Sequence, residues 1–335
     1  MKALVIEAPF QAKIKDIPYP VPGPGEVTIA VRNIGICGTD IHIYRGEFIS
    51  PYPIVPGHEF SGVIHSVGEG VEDFTEGDRV SADPSLFCGS CPYCKTGKGN
   101  QCARWGALGN TVDGSMAEYV RVPAANVVKI PDSMSFAEAA FIEPMACVVH
   151  AMNRLQVKAG DTAILFGAGA MGQQLIQTLA HSGVSELVVV DVSPAKLEMA
   201  LKRGATRCIL SEEAEIAADR LHHPQGYDIV VDATGIPAVI ELALTFMGKG
   251  AKYLQFGVTP KDAEIKVDPF QLYNKDWTLL GSMAINNTFL PAYQWIQSGR
   301  IDVKPLISRE ISLEETIAFL QGPRDPGEFK VQIKI

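Results

Sequence analysis

Four cysteines stand close together as Cys88-Gly-Ser-Cys91-Pro-Tyr-Cys94 and, seven residues further on, Cys102. Four thiolates at such spacing can wrap one Zn²⁺ tetrahedrally and leave no position for water, which makes a closed, structural site. Disulfides compete as a reading, but cysteines three apart rarely bridge each other, and the total of seven cysteines is odd. A second set is dispersed along the chain: Cys37, then His58-Glu59, then Glu143. A thiolate, an imidazole and a carboxylate form the mixed donor set of a zinc that keeps one coordination position open. A metal held that way can bind a hydroxyl directly and lower its pKa, so the proton leaves before or with a hydride. Singly, each of these residues is ordinary; the combination carries the reading.

A third chemical signature is Gly167-Ala168-Gly169-Ala170-Met171-Gly172, which follows an apolar strand and opens a helix running to about Ser182. Gly167 can make the tight turn, Gly169 lets the backbone approach a pyrophosphate, and Gly172 lets helix pack closely on strand. The helix N-terminus then offers free N–H groups and a positive dipole end to the phosphates. At the end of the next apolar strand stands Asp191, whose carboxylate can accept hydrogen bonds from the ribose hydroxyls of NAD and would repel the extra phosphate of NADP. NAD is therefore the expected nucleotide. Lys196, in the first turn of the helix that Ser193-Pro194 begins, is placed to flank the adenosine ribose.

These residues need two kinds of scaffold. The first ~150 residues carry short β-type runs broken by Gly and Pro, such as Glu26 to Val31, and read as a twisted antiparallel β-domain. From about Val148, apolar strands alternate with helical segments, the pattern of a parallel α/β sheet. The expected strands are Thr162 to Phe166, Glu186 to Val190, Arg207 to Leu210, Asp228 to Val231, Tyr253 to Phe256 and Thr278 to Leu280. The tail from about Ala284 ends in an alternating run, Phe329 to Ile333, and returns to complete the first domain. The domains are thus 1–147 with a zinc lobe at about 86–104, then 148–283, then the return segment 284–335. A chain of 335 residues with 47% hydrophobic content suits two ordinary domains. The net charge of −9 argues against nucleic acid or anionic membrane as partner. The opening residues lack the apolar stretch of a signal peptide and no run approaches a membrane span, so a cytoplasmic location is expected.

At this point the chain resembles the medium-chain dehydrogenase/reductase family, the zinc alcohol dehydrogenases, along essentially its whole length. The resemblance rests on Gly35-Ile36-Cys37-Gly38-Thr39-Asp40, Gly57-His58-Glu59, Gly68-Glu-Gly70-Val71, Gly77-Asp78-Arg79-Val80, the four-cysteine lobe, Gly114 to Tyr119 and the glycine motif. Phe141-Ile142-Glu143-Pro144 is similar to the polyol branch of sorbitol, arabitol and galactitol-phosphate dehydrogenases. The resemblance implies a GroES-like β-rich catalytic domain interrupted by a Rossmann domain, with the active site in the cleft between them. It implies Cys37 and His58 as catalytic zinc ligands with a glutamate completing the set, Glu143 being favoured and Glu59 exchanging on and off the metal. It also implies Thr39 and His42 as a proton relay, and nicotinamide held against Phe256-Gly257-Val258 and Gly281-Ser282-Met283. A homodimer or homotetramer joined through Rossmann-domain edges follows from the same resemblance.

The sequence departs from sorbitol dehydrogenase after Gly281-Ser282, where Met283-Ala284-Ile285-Asn286 replaces an aromatic followed by Arg-Tyr. A different polyol, or a polyol phosphate, is the expected substrate; for a phosphate, Arg45 and Arg104 are the cations to inspect. Threonine dehydrogenase is similar around Cys37 to His42 but lacks the Ile-Glu-Pro pattern. A non-catalytic zinc- and nucleotide-binding homologue, or a zinc-free reductase, would not retain Cys37, Thr39, His42, His58, Glu59 and Glu143 together.

Overall fold

A computed structural model describes residues 1–335, the side chain of Ala214 excepted. The chain forms two compact units, one of residues 1–146 and 285–335 and the other of residues 147–284.

In the first unit, Gly and Pro end each apolar run early, so successive strands fold back on one another. The strands Ile307–Ile311, Lys330–Lys334, Glu26–Gly35, Glu59–Val67, Arg79–Ala82 and Val127–Lys129 lie side by side in that order, and Tyr119–Pro123 also pairs with Glu26–Gly35. The long strand Glu26–Gly35 alternates into a buried apolar face built by Val27, Ile29, Val31 and Ile34. Lys330–Lys334 pairs antiparallel with its end, placing Gln332 opposite Gly35. The return segment is therefore an integral strand of this sheet. On the other side Gly35 lies opposite Glu59, so three strand ends, at Gly35, Glu59 and Lys330, converge at one corner.

The second unit is a six-stranded sheet with every pairing parallel. Its order is Arg207–Leu210, Glu186–Asp191, Thr162–Phe166, Tyr227–Asp232, Met247–Gln255, Thr278–Gly281, so the chain reverses direction between the first and fourth strands in sequence. That reversal opens a crevice at the carboxyl ends of the strands. Thr162–Phe166 and Glu186–Asp191 are buried along nearly their whole length, as interior strands of a parallel sheet are. The fifth strand starts at Met247, well before the expected Tyr253. At Gly248-Lys249-Gly250 the strand carries an irregularity through which pairing continues from Tyr227↔Met247 to Ile229↔Lys252. Phe256 falls just outside the strand, its N–H donating to the Asp232 carbonyl at 3.0 Å. Among the described residues, no helix is long and apolar enough to cross a membrane.

Candidate functional site

The corner of the first sheet gathers the dispersed donors. One ligand atom each from Cys37, His58 and Glu59 lie within 4.8 Å of one another, and Glu143 is outside that set. Cys37 follows the strand end at Gly35 and caps the helix Gly38–Arg45, while His58 immediately precedes Glu59 at the start of Glu59–Val67. A Cβ on Gly35 would stand 2.1 Å from Glu59 Oε2, so only glycine leaves room for this carboxylate. Glu59 is 2% exposed, and its Oε2 has no hydrogen-bond partner. A buried carboxylate oxygen so placed is costly unless a cation faces it, and a soft thiolate and an imidazole beside it make the set suited to zinc.

Two residues whose roles were not read from the sequence hold this corner. Asp40 is fully buried, accepts the Cys37 N–H at 2.8 Å and the Gly57 N–H at 3.2 Å, and sets Oδ1 3.7 Å from His58 Nδ1. It thus sets a negative charge behind the imidazole, whose Nδ1 has no hydrogen-bond partner. Lys330, 6% exposed, donates to Glu59 Oε1 at 2.8 Å and to the Ile36 carbonyl at 3.3 Å. Asp40 belongs to a motif already noted, whereas Lys330 sits 271 positions from Glu59 and nothing local marks it.

The charges here act on one another. Burial pushes the Glu143 carboxyl up to about 8, the Glu59 and Asp83 carboxylates pushing the same way against His58 and Lys330. Burial also works against a charged His58, but Asp40 and Cys37 outweigh it and hold the imidazole well above its ordinary range. Thr39 Oγ1 lies 3.7 Å from the Cys37 thiol. His42 is exposed, with Nδ1 2.7 Å from Glu47 Oε2.

The four clustered cysteines form the other set. Their sulfurs lie 3.5 Å (Cys91 to Cys94) and 4.0 Å (Cys88 to Cys94 and Cys91 to Cys102) apart. A tetrahedron of thiolates around zinc has edges of about 3.8 Å, given Zn–S distances of about 2.3 Å. All seven cysteines are free thiols. Backbone N–H groups of Cys88 and Arg104 point at Cys102 Sγ from 3.4 and 3.3 Å. Arg104, considered above as a phosphate cation, is turned to this lobe instead and donates to Ser90 Oγ at 3.1 Å. Hydrogen bonds from the Ser90 N–H and hydroxyl lower the Cys88 thiol to about 5, whereas burial and Cys91 push Cys94 up to about 12. We expect Cys91→Ser to lower the melting temperature by several degrees while leaving turnover per zinc-replete molecule nearly intact, because a closed thiolate site contributes folding energy. Calorimetry with zinc analysis checks this; an undiminished melting temperature would refute it.

In the second unit each glycine of the motif has a distinct geometry. Gly167 adopts φ 99°, a Cβ on Gly172 would lie 2.0 Å from the Gly167 carbonyl oxygen, and a Cβ on Gly169 would meet nothing within 4 Å. Helix Ala170–Ala180, which carries Met171 and Gly172 in its first turn, has Gly169 at its N-cap and no side-chain cap, which leaves its first N–H groups to an anion. Asp191 ends the adjacent strand; Oδ2 accepts the Ala168 N–H at 2.6 Å and Oδ1 the Ser193 N–H at 2.8 Å. Lys196 is half-buried nearby, its carbonyl accepting from Gln173 Nε2 at 3.0 Å.

Val192, Ile236, Val258 and Met283, following four different strands, are exposed by 78, 53, 81 and 41%. Such apolar surface at the carboxyl edge suits flat rings. The fully buried Asp232, missed in the sequence, organises this edge. Its carboxylate accepts from Thr234 Oγ1 at 2.6 Å, from the Gly235 N–H at 2.9 Å and from Gln255 Nε2 at 2.9 Å. Its carbonyl receives the Phe256 and Gly257 N–H groups, and Ser282 N–H bonds the Gln255 carbonyl at 3.2 Å. The Phe256-Gly257-Val258 and Gly281-Ser282-Met283 segments are thereby fixed side by side.

Parallel nucleotide-type sheet, GroES-like sheet and two cysteine-containing metal sets together define a zinc-dependent dehydrogenase. Residues 23–132 match the alcohol dehydrogenase GroES-like domain and residues 170–298 the zinc-binding dehydrogenase family. The chain is 33% identical to sorbitol dehydrogenase of Bacillus subtilis, over 94% of this chain and 91% of that protein. It is 32% identical to L-threonine 3-dehydrogenase of Alteromonas mediterranea, over 94% of each. Among solved structures, a zinc-binding dehydrogenase of Sinorhizobium meliloti bound to NADP superposes with a TM-score of 0.95 at 30% identity, covering 100% of this chain and 99% of that one. The chain belongs to the zinc-containing medium-chain alcohol dehydrogenase family, and it is an oxidoreductase.

Proposed function

We propose that this protein oxidises a secondary alcohol of a polyol to the ketone, with NAD as hydride acceptor and Cys37, His58 and Glu59 holding the catalytic zinc. The observation that carries the reading is the buried Glu59 Oε2, partnerless inside a Cys–His–Glu cluster. Zinc in that set supplies Lewis acidity to a substrate hydroxyl, and NAD supplies the hydride-accepting ring. The protein's own groups do the rest. Asp40 sets a negative charge behind the His58 ring, and Lys330 holds Glu59 by one oxygen. Glu143, its carboxyl pushed up chiefly by burial, is the reserve carboxylate that exchanges with Glu59. The Thr39 hydroxyl takes the departing proton, and His42, exposed beside Glu47, releases it to solvent.

Polyol specificity is supported by the Ile142-Glu143-Pro144 pattern and by the likeness to sorbitol dehydrogenase. The guanidinium of Arg324 lies within electrostatic reach of Cys37, Asp40 and Arg45, which favours testing phosphorylated polyols as well. The experiment is NAD reduction by the purified protein against pentitols, hexitols, their phosphates, L-threonine and simple alcohols. A polyol or polyol phosphate with the highest kcat/KM supports the proposal; preference for threonine overturns it in favour of the threonine dehydrogenase reading.

NAD preference is read from Asp191. Asp191→Ser should raise kcat/KM for NADP relative to NAD by at least about tenfold, through lost repulsion of the 2′-phosphate. Because Asp191 also ties down the Ala168 N–H, both cofactors should bind somewhat more weakly. An unchanged ratio would sink the assignment.

We also infer a cytoplasmic homodimer or homotetramer. The free thiols suit a reducing compartment. The sheet edge Thr278–Gly281 is unpaired on one side, with Leu279, Phe270 and Tyr273 exposed by 39, 64 and 84%. Light scattering should return a multiple of the chain mass, and Leu279→Lys should lower it; a monomeric wild type refutes this.

A further inference from the structure

The chain passes from the second unit back to the first at 284/285, and the crossover is unusually held. Ala284 and Asn287 both adopt left-handed conformations, φ 47° and 57°, a region that costs a residue such as alanine its ordinary backbone preference. Between them Ile285 is 1% exposed, and just beyond, Thr288 Oγ1 donates to the buried Ala146 carbonyl at 2.7 Å. Asn286 grips the four-cysteine lobe: its Nδ2 donates to the Gly97 carbonyl at 2.8 Å, and its Oδ1 accepts the Gly99 N–H at 3.1 Å.

The other faces of those two residues hold the metal-binding cysteines. Gly97 N–H donates to the Cys94 carbonyl at 3.2 Å, and Cys102 N–H donates to the Gly99 carbonyl at 2.9 Å. Gly97 itself adopts φ 74°, and a Cβ on Gly99 would strike the Phe87 ring at 2.5 Å, so this shape of the loop depends on glycine at both positions. Two continuous hydrogen-bonded paths therefore run from one side chain, through Gly97 to Cys94 and through Gly99 to Cys102.

We propose that Asn286 is a positioning residue that couples zinc occupancy of the four-cysteine lobe to the fixed, strained conformation of residues 284–288. The inference rests on the lobe being a zinc site. Zinc orders the Cys94–Cys102 loop, the ordered loop presents Gly97 O and Gly99 N–H as a matched pair, and the Asn286 amide closes on both. That contact holds the crossover directly after Ser282-Met283, the segment assigned to nicotinamide. Linkage makes the coupling reciprocal: what loosens the crossover weakens the lobe's hold on its metal.

The test begins with zinc analysis of the wild-type protein, then measures two readouts that do not use turnover. The first is chelator-driven release of lobe zinc. Asn286→Ala should accelerate it on the order of tenfold, the effect of losing one or two net hydrogen bonds. The second is hydrogen exchange of the 284–288 amides in the wild type before and after removal of lobe zinc, which needs no variant to fold. Protection there should fall, while that of the remote strand Thr162–Phe166 should not. In a double-mutant cycle, Asn286→Ala should add little exchange beyond Cys91→Ser. Two zinc ions per chain with an unchanged release rate, or with unchanged protection at 284–288, overturns the coupling alone. A wild type that carries no lobe zinc overturns the zinc-site reading and the coupling with it.

Discussion

His58→Ala should abolish alcohol oxidation while NADH still binds. The imidazole is 5% exposed, belongs to the Cys37–His58–Glu59 set and faces the Asp40 carboxylate at 3.7 Å, so no neighbour can replace it without rebuilding the corner. A Lewis-acidic metal contributes several kcal/mol of transition-state stabilisation, and its loss corresponds to a fall in kcat of roughly a thousandfold or more. The glycine motif and Asp191 belong to the other unit, so the NADH dissociation constant, read by fluorescence, should change by less than about threefold. Zinc analysis should show one ion lost per chain. Equal collapse of NADH affinity would contradict the assignment of nucleotide and metal to separate units. Turnover surviving with one zinc missing would remove His58 from the ligand set.

The second large effect concerns stability. Lys330→Met should destabilise the zinc-free protein by about 3–5 kcal/mol, the penalty for removing one partner of a buried ion pair. Lys330 and Glu59 are 6% and 2% exposed and lie 2.8 Å apart, so Glu59 would be left as an uncompensated buried charge beside Glu143. Burial works against the charged lysine, but the Glu59 and Cys37 charges and the hydrogen bond to Glu59 outweigh it, raising Lys330 above its ordinary value. Denaturant unfolding of the first unit's transition measures the loss. Adding Glu59→Gln to Lys330→Met should recover most of it, since the orphaned charge is then gone; failure to recover would mean that Lys330 acts through packing alone. Saturating zinc should also reduce the deficit in Lys330→Met, because a cation facing Glu59 does part of the lysine's work.

The sequence by itself determined the features that depend on near neighbours. Cys88, Cys91, Cys94 and Cys102 announce a closed metal lobe because their spacing confines four sulfurs to one small volume. Gly167, Gly169 and Gly172 announce a phosphate turn; the structure shows the steric demand at Gly167 and Gly172, while the space beside Gly169 is open. Asp191 is legible for the same reason, ending the strand beside the turn. The alternation of apolar runs and helices likewise made the parallel sheet readable.

Only the tertiary structure decided what depends on register between distant segments. Cys37, His58 and Glu59 meet because Gly35 falls opposite Glu59 in an antiparallel pair, and one position of slip would turn the glutamate to the other face of the sheet. That Glu59 stands in the close cluster follows from that register; the local motifs of Glu59 and Glu143 carry no such information. Lys330 and Asn286 were illegible for the same physical reason. Each acts through a partner far away in the chain, on Glu59 and on the Gly97–Gly99 backbone, and no periodicity or spacing in a one-dimensional sequence encodes a contact that only the folded sheet and lobe create.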